Sequence, residues 1–165
     1  MASKILYAKE LFYDFPVSLS AGRNILVADT PDAAIRIINA ESDSIDGFVL
    51  GGFMIKTDEC VETAHKLYDM ISQLDAKLHE RKLVNRKDVQ SVYNLLTDKL
   101  LDCRDVRGGK RVFYHLQEND YVGKKPLLRL TNLPLHGYFS GEMVKCAHAS
   151  EGERAIKNWL KKNKL

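Results

Sequence analysis

Glycine and polar residues directly follow several apolar runs of the sequence, where they could bind a ligand or take part in chemistry. The runs are short and do not alternate with polar residues, which is typical of strands covered on both faces of a parallel sheet. Ligands of such sheets bind at the carboxyl ends of the strands. We therefore predict one ligand or partner face at this edge. It comprises Glu10, Asp29, Thr30, Gly51, Gly52, Thr131, Asn132 and His148.

No motif fixes the chemistry of this face. The phosphate-binding patterns G-x-G-x-x-G and G-x-x-x-x-G-K-[ST] are absent from the sequence. Two interpretations of Gly51-Gly52 stay open: the glycines let a ligand approach the backbone, or they form a tight exit from a strand. A small enzyme acting through Glu10, Thr131 or His148 is a further alternative, but no reaction follows from these residues.

The three cysteines, Cys60, Cys103 and Cys146, are widely separated. Cys146 and His148 could bind zinc together with another cysteine, but the paired C-x₂-C spacing of structural zinc sites is absent. A Cys–His nucleophile pair would need a third, orienting group, which the sequence does not reveal. We therefore expect reduced, buried and inert thiols, and neither a metal nor a cofactor.

The residues that position the predicted face are organised around the segment 24–54. Its pattern predicts a strand, a helix and a second buried strand, which together form a βαβ unit with a right-handed crossover. Pro31 suits the first position of the helix and Thr30 can cap it. The helix is expected to end near residues 41–43, and the second strand to cover residues 47–50.

Further strands and helices extend this unit on both sides. The predicted strands cover residues 4–8, 111–116, 127–130 and 143–147, and the predicted helices cover residues 57–79, 86–102 and a last segment capped by Ser150. The order of elements predicts an α/β three-layer sandwich of flavodoxin-like architecture, with about five mainly parallel strands in the order 2-1-3-4-5. We expect a single domain over residues 1–165, with a helical and hairpin insertion at about 80–125.

Basic residues are concentrated around the strand predicted over residues 111–116. With aromatic residues among them, they could form one positive patch on a β-hairpin and bind single-stranded nucleic acid. A hairpin that is merely solvated is the simpler alternative. The patch comprises Arg104, Arg107, Lys110, Arg111, Lys124 and Lys125.

Composition restricts the remaining possibilities. The chain of 165 residues is 45% hydrophobic and 28% charged, with a net charge of +3. These values are typical of a globular protein and neither require nor exclude a nucleic-acid partner. No run of about 18 apolar residues predicts a membrane span. Because the first residues also lack the apolar core of a signal peptide, we expect a cytoplasmic protein with no membrane partner.

In its strand spacing, the chain resembles a response-regulator receiver domain. Where receivers carry an acidic pair after the first strand, this sequence has Lys9-Glu10. Where they carry the phosphoacceptor aspartate after the third strand, it has Gly51. Thr131 matches the Ser or Thr that ends the fourth strand in the family, and His148 lies closest to the position of its lysine.

The resemblance covers residues 4–54 and 126–165, and it implies a degenerate receiver. Phosphoryl transfer to a receiver needs a carboxylate nucleophile, a Mg²⁺ ion held by acidic groups and a lysine, and glycine cannot be the nucleophile. We therefore expect a non-catalytic protein-interaction domain of a signalling or regulatory pathway, of the two-component type. The expected partner is a protein, with a homodimer through helices 57–79 and 86–102 as one possibility.

Overall fold

A computed structural model of the chain describes residues 2–11, 13–80, 83–131, 142–145 and 149–165. Only the backbone is described for residue 131 and for residues 142–145 and 149–150. Asn132 and His148 of the predicted face, and Cys146, lie outside the described residues. Within the described part of the chain, no helix is long and apolar enough to cross a membrane.

The main sheet has the order β2-β1-β3-β6-β7, and each neighbouring pair is parallel. A separate antiparallel pair joins β4 to β5. The strands are β1 (Ser3–Ala8), β2 (Arg23–Ala28), β3 (Gly47–Gly51), β4 (Met54–Ile55), β5 (Arg104–Asp105), β6 (Leu127–Thr131) and β7 (Glu142–Lys145). The helices are α1 (Val17–Ser20), α2 (Pro31–Glu41), α3 (Asp58–Leu78), α4 (Arg86–Asp102), α5 (Gly108–Glu118) and α6 (Ala149–Asn163), and Ser42–Ser44 form a 3₁₀ turn.

The predicted βαβ unit is confirmed. Pro31 is the first residue of α2, and the Thr30 hydroxyl accepts a hydrogen bond from the Ala33 N–H at 3.1 Å. Ala34 and Ile38 of α2 are buried, and all five residues of β3 are buried. Capping, proline and burial therefore act together to form the helix where the local sequence predicts it.

Helices cover both faces of the sheet. On one face, Leu6 and Phe48 pack with Ile38 of α2 and Leu116 of α5. On the other face, apolar residues of the strands pack with α6 and α1: the cluster includes Ile5, Tyr7, Val49, Leu19 and Trp159. Successive residues of β1 thus point into opposite cores, which is why its sequence does not alternate between apolar and polar residues.

The predicted α/β class, a parallel sheet flanked by helices, is confirmed, and it is compatible with a flavodoxin-like fold. The predicted count of about five strands needs qualification. Four parallel strands of five or six residues, β2-β1-β3-β6, make up most of the sheet, and β7 adds a segment of four residues at its edge.

The prediction of a β-hairpin over the basic segment is wrong, because residues 108–118 form helix α5. The run Arg111 to Leu116 has the aromatic and β-branched composition of a strand. Its apolar side chains Val112, Phe113 and Leu116 nevertheless lie on one side of a helix and are buried against the sheet. Tertiary burial therefore overrides the local strand propensity.

The two long helices predicted before this segment are confirmed, with bounds that differ by one residue or less. Asn85, which precedes α4, has a left-handed backbone, with φ 62°, and makes no side-chain capping bond. The β4–β5 pair closes the base of this hairpin. Because α5 packs on the sheet, the part of the chain that leaves the sheet is the α3–α4 hairpin, and not the whole of 80–125.

Candidate functional site

The carboxyl ends of the central strands meet at one edge, as predicted. Ala8 pairs with Ala28 on one side and with Leu50 on the other, and Gly51 pairs with Leu130. The residues that follow these positions are therefore neighbours in space. The predicted residues whose backbone is described at this edge are Glu10, Asp29, Thr30, Gly51, Gly52 and Thr131.

Glu10 is buried and joins the segment after β1 to the loop after β3. Its side chain is only 2% exposed. Its carboxylate Oε2 accepts hydrogen bonds from the backbone N–H groups of Gly52 and of Phe53, the latter at 3.2 Å. The N–H of Leu11 in turn donates to the carbonyl oxygen of Phe53 at 2.8 Å. Glu10 thus holds two loops together and is not open to a substrate.

The electrostatic environment of Glu10 is unusual for a carboxylate. Burial raises its pKa to about 7, against the smaller opposing effects of the Gly52 and Phe53 amides and of Arg129. Arg129 on β6 is itself buried, 3% exposed, and its guanidinium lies 5.9 Å from the centre of the Phe113 ring. Burial lowers the pKa of Arg129, and the nearby Glu10 carboxylate partly offsets this effect. Both residues are therefore buried, and each favours the charged form of the other less strongly than burial opposes it.

Gly51 has no room for a side chain. A Cβ atom at this position would overlap the backbone N and Cα of Glu10 and would lie 2.9 Å from the Glu10 Cβ. From the other direction, Gly109 of α5 is packed so closely that a Cβ there would overlap the Gly51 carbonyl oxygen. The Gly109 N–H also donates to the Gly52 carbonyl oxygen at 3.3 Å. The close neighbour of these glycines is therefore the chain itself, which favours the tight strand exit over a ligand contact.

A more exposed group of charges surrounds Asp29. The Asp29 carboxylate lies 3.5 Å from His65 Nε2 of α3 and 3.8 Å from Lys9 Nζ. Lys9 also pairs with Asp14 at 2.6 Å. The crevice between them, which Leu11 and Ile55 also line, does not admit a water molecule. Asp29 therefore ties the sheet edge to α3, and the crevice is too narrow for a ligand.

Thr30 serves the same edge structurally. It is fully buried, and besides capping α2 its hydroxyl donates to the Asp58 Oδ1 in the first turn of α3 at 2.5 Å. Asp58 also accepts a hydrogen bond from Arg36 at 2.5 Å. The hydrogen bonds from Thr30 and Arg36 lower the pKa of Asp58, because they favour its charged form. The sheet edge thus positions the start of the α3–α4 hairpin.

The predicted basic patch is divided by α5. Arg104, Arg107, Lys110 and Arg111 lie at the amino end of the helix, and Lys124 and Lys125 follow its carboxyl end. The two groups therefore lie towards opposite ends of α5, whose eleven residues span about 16 Å.

Several charges of the patch are also engaged within the chain. Arg111 pairs with Asp32 at 2.7 Å and with Asp105 at 3.3 Å. Lys125 Nζ donates to the carbonyl oxygens of Ser42 and Ile45, each at 2.5 Å. Of the aromatic residues that could stack on bases, Phe113 is buried. Arg111 and Lys125 are therefore engaged within the chain, whereas Lys110 lies over the exposed Tyr114 ring, 5.4 Å from its centre.

Two residues of this edge were not predicted from the sequence. Arg129 is the one charged residue inside the apolar run 127–130, a signal that could have marked it as a buried partner of Glu10. His65 lies on a helix whose other polar residues face solvent, and nothing in the local pattern connects it to Asp29. Within the described ranges, no three His, Cys, Asp or Glu side chains cluster closely enough to hold a metal ion.

No protein-family model matches the chain, and no curated protein matches it significantly. What the protein does has therefore to be inferred from the fold and from the geometry of this edge.

Proposed function

We propose that the protein is a non-catalytic interaction domain of receiver-like architecture, which does not accept phosphate. The observation that carries the proposal is the packing at Gly51, where the Glu10 backbone occupies the space that a phosphoacceptor side chain would need. The acidic residue after β1 is turned inward to the Gly52 and Phe53 amides. In a receiver, this edge of the sheet performs the chemistry. In this protein, the same edge has a structural role.

Phosphorylation chemistry provides a direct test. We expect no covalent phosphate after incubation with acetyl phosphate and Mg²⁺, as measured by intact mass, and no Mg²⁺-dependent change in near-ultraviolet circular dichroism with beryllofluoride. The physical reason is the lack of a carboxylate nucleophile at the end of β3. An authentic receiver domain treated in parallel serves as the positive control. Stoichiometric addition of phosphate would overturn the proposal.

The α3–α4 hairpin supports an interaction role. Ala64 is the one buried residue of α3, and Leu96 and Leu100 are the buried residues of α4. Apolar side chains elsewhere on the hairpin are open to solvent: Met70 is 49% exposed on α3, and Val92 and Leu95 are 46% and 55% exposed on α4. Exposed apolar groups at spacings of three residues are typical of a helix face that packs against another helix.

We take a second copy of the chain as the partner of this hairpin. Two helical hairpins can bury such faces together as a four-helix bundle with twofold symmetry. The seventeen residues of α4 span about 25 Å, which is long enough for several turns of contact. Both helices carry acidic and basic residues, including the Glu62–Lys66 pair on α3, so like charges need not oppose each other across a twofold axis.

Sedimentation analysis over a concentration series tests this contact. We expect a dimer of the natural chain, and a shift of its dissociation constant by at least tenfold when both Val92 and Leu95 are replaced by glutamate, because two buried charges oppose association. Val17→Glu is the control, because Val17 is 86% exposed on α1, away from the hairpin. A natural chain that stays monomeric at high concentration, or a control that dissociates the dimer equally, would contradict this contact.

A further inference from the structure

Two thiols from distant parts of the sequence meet at the base of the α3–α4 hairpin. Cys60 lies in the first turn of α3, and Cys103 follows the last residue of α4. Both belong to the small core that also contains Ile55, Ala64 and Leu100. Cys60 packs against the buried core that contains Cys103, and its thiol is near enough to contribute to the raised pKa of Cys103. The sequence predicts reduced, buried and inert cysteines, whereas the fold brings these two to one core.

The backbone around the two cysteines is fixed by the β4–β5 pair. Ile55 pairs with Arg104 in an antiparallel register, and the next residue, Lys56, donates its N–H to the Cys103 carbonyl oxygen at 2.7 Å. The chain then enters α3, where the Cys60 N–H donates to the Thr57 carbonyl oxygen at 3.0 Å. The two thiols are therefore held together by regular secondary structure on both sides.

The two thiols differ in accessibility. Cys60 is partly exposed, whereas Cys103 is buried, with 9% of its surface exposed. Burial, followed by the neighbouring Cys60 thiol, raises the pKa of Cys103, so its thiolate is scarce at neutral pH. The Thr57 hydroxyl lies 3.3 Å from the Cys60 sulfur and can donate to its thiolate. These differences assign Cys60 as the thiol that reacts first and Cys103 as the one that resolves the intermediate.

We propose that Cys60 and Cys103 are a reversible redox site, which is oxidised to an intramolecular disulfide by low-molecular-weight disulfides. The Cys60 thiolate attacks one sulfur of the oxidant R–S–S–R, forming a mixed disulfide and releasing one R–S⁻. Cys103, after losing its proton to solvent, attacks the Cys60 sulfur and releases the second R–S⁻. The two R–S⁻ ions take up from solvent the two protons that Cys60 and Cys103 lost to it. The net reaction consumes two protein thiols and one R–S–S–R and yields one protein disulfide and two R–SH.

The disulfide would connect the beginning of the hairpin to its end. It would close the loop from residue 60 to residue 103 covalently, and closure of a loop of this length restricts the unfolded chain substantially. The expected consequence is a rise in the thermal midpoint on the order of 10 °C for the oxidised protein. This site does not depend on the proposed function, because it requires only the contact between the two thiols.

Oxidation of the full chain with oxidised glutathione tests the proposal. We expect intact mass to fall by the two hydrogens of a disulfide, a non-reduced digest to contain a Cys60–Cys103 linked peptide, and dithiothreitol to reverse both changes. The Cys146→Ser variant is the matched control and should form the same linkage. The Cys60→Ser variant should not form this linkage. Because it replaces the partly exposed thiol, it tests the proposal even if a substitution of the buried Cys103 prevents folding.

Three results would overturn the proposal. The first is a stable glutathione adduct on Cys60 that Cys103 does not displace in the natural chain. The second is a disulfide that involves Cys146 in place of either residue. The third is a linked protein whose thermal midpoint is lower than that of the reduced form, because the bond would then distort the fold instead of fitting it.

Discussion

Replacing Gly51 with aspartate restores the residue type of the receiver phosphoacceptor, yet we expect the variant to be less stable by about 3 kcal/mol or more and to remain unphosphorylated. The new Cβ would overlap the backbone of Glu10, which cannot move without breaking its links to Gly52 and Phe53. A second carboxylate would also be buried beside that of Glu10. Urea denaturation and intact mass after acetyl phosphate treatment measure the two effects.

Two further variants separate the steric effect of the Cβ atom from the effect of burying a second carboxylate. Gly51→Ala adds only the Cβ atom and should cost about 2 kcal/mol, since it has the clash without the charge. Gly123→Asn is the control: Gly123 has φ +84° and no atom within 4 Å of its Cβ position, so asparagine should cost about 1 kcal/mol or less. If Gly51→Asp were as stable as the natural protein, the end of β3 would be open and the proposed function would lose its main support.

The parts of the fold that follow from local sequence could be predicted. The unit from β2 to β3 is specified by neighbouring residues, with Thr30 and Pro31 starting the helix and an apolar run forming the strand. Helix α5 could not be predicted, because a strand-like composition is compatible with a helix once Phe113 and Leu116 have a sheet to pack against. Local propensity decides only where tertiary contacts agree with it.

The candidate edge was predicted as a location but not as a set of contacts. Strand ends of a parallel sheet must meet, so the neighbourhood of Glu10, Asp29 and Gly51 follows from the fold class. The hydrogen bond from the Gly52 amide to the Glu10 carboxylate joins residues 42 positions apart, and no local sequence pattern predicts it. A usable signal was the presence of two glycine pairs, at 51–52 and 108–109, since paired glycines outside turns indicate closely packed backbones.

Glu10 should make the stability of the protein depend on pH in a direction opposite to that of most carboxylates. Burial raises its pKa from the ordinary value of 4.5 to about 7, so between these values the folded protein binds more protons than the unfolded chain. The free energy of unfolding therefore falls as the pH rises through this range, by up to about 3 kcal/mol from this residue alone, and it levels off above pH 7. The loss reflects the cost of ionising a carboxyl group that the two amides and Arg129 only partly compensate.

The Glu10→Gln variant isolates this contribution, because glutamine resembles the protonated acid and can still accept the Gly52 and Phe53 hydrogen bonds. Denaturant unfolding at a series of pH values from 4.5 to 8 should show the natural protein losing about 3 kcal/mol more than the variant. Glu118→Gln removes an exposed carboxyl of α5 and is the matched control, which should follow the natural profile. Parallel profiles for the natural protein and Glu10→Gln would mean that the Glu10 carboxyl stays hydrated. The buried hydrogen bonds from the Gly52 and Phe53 amides to Glu10 at the end of β3 would then be contradicted.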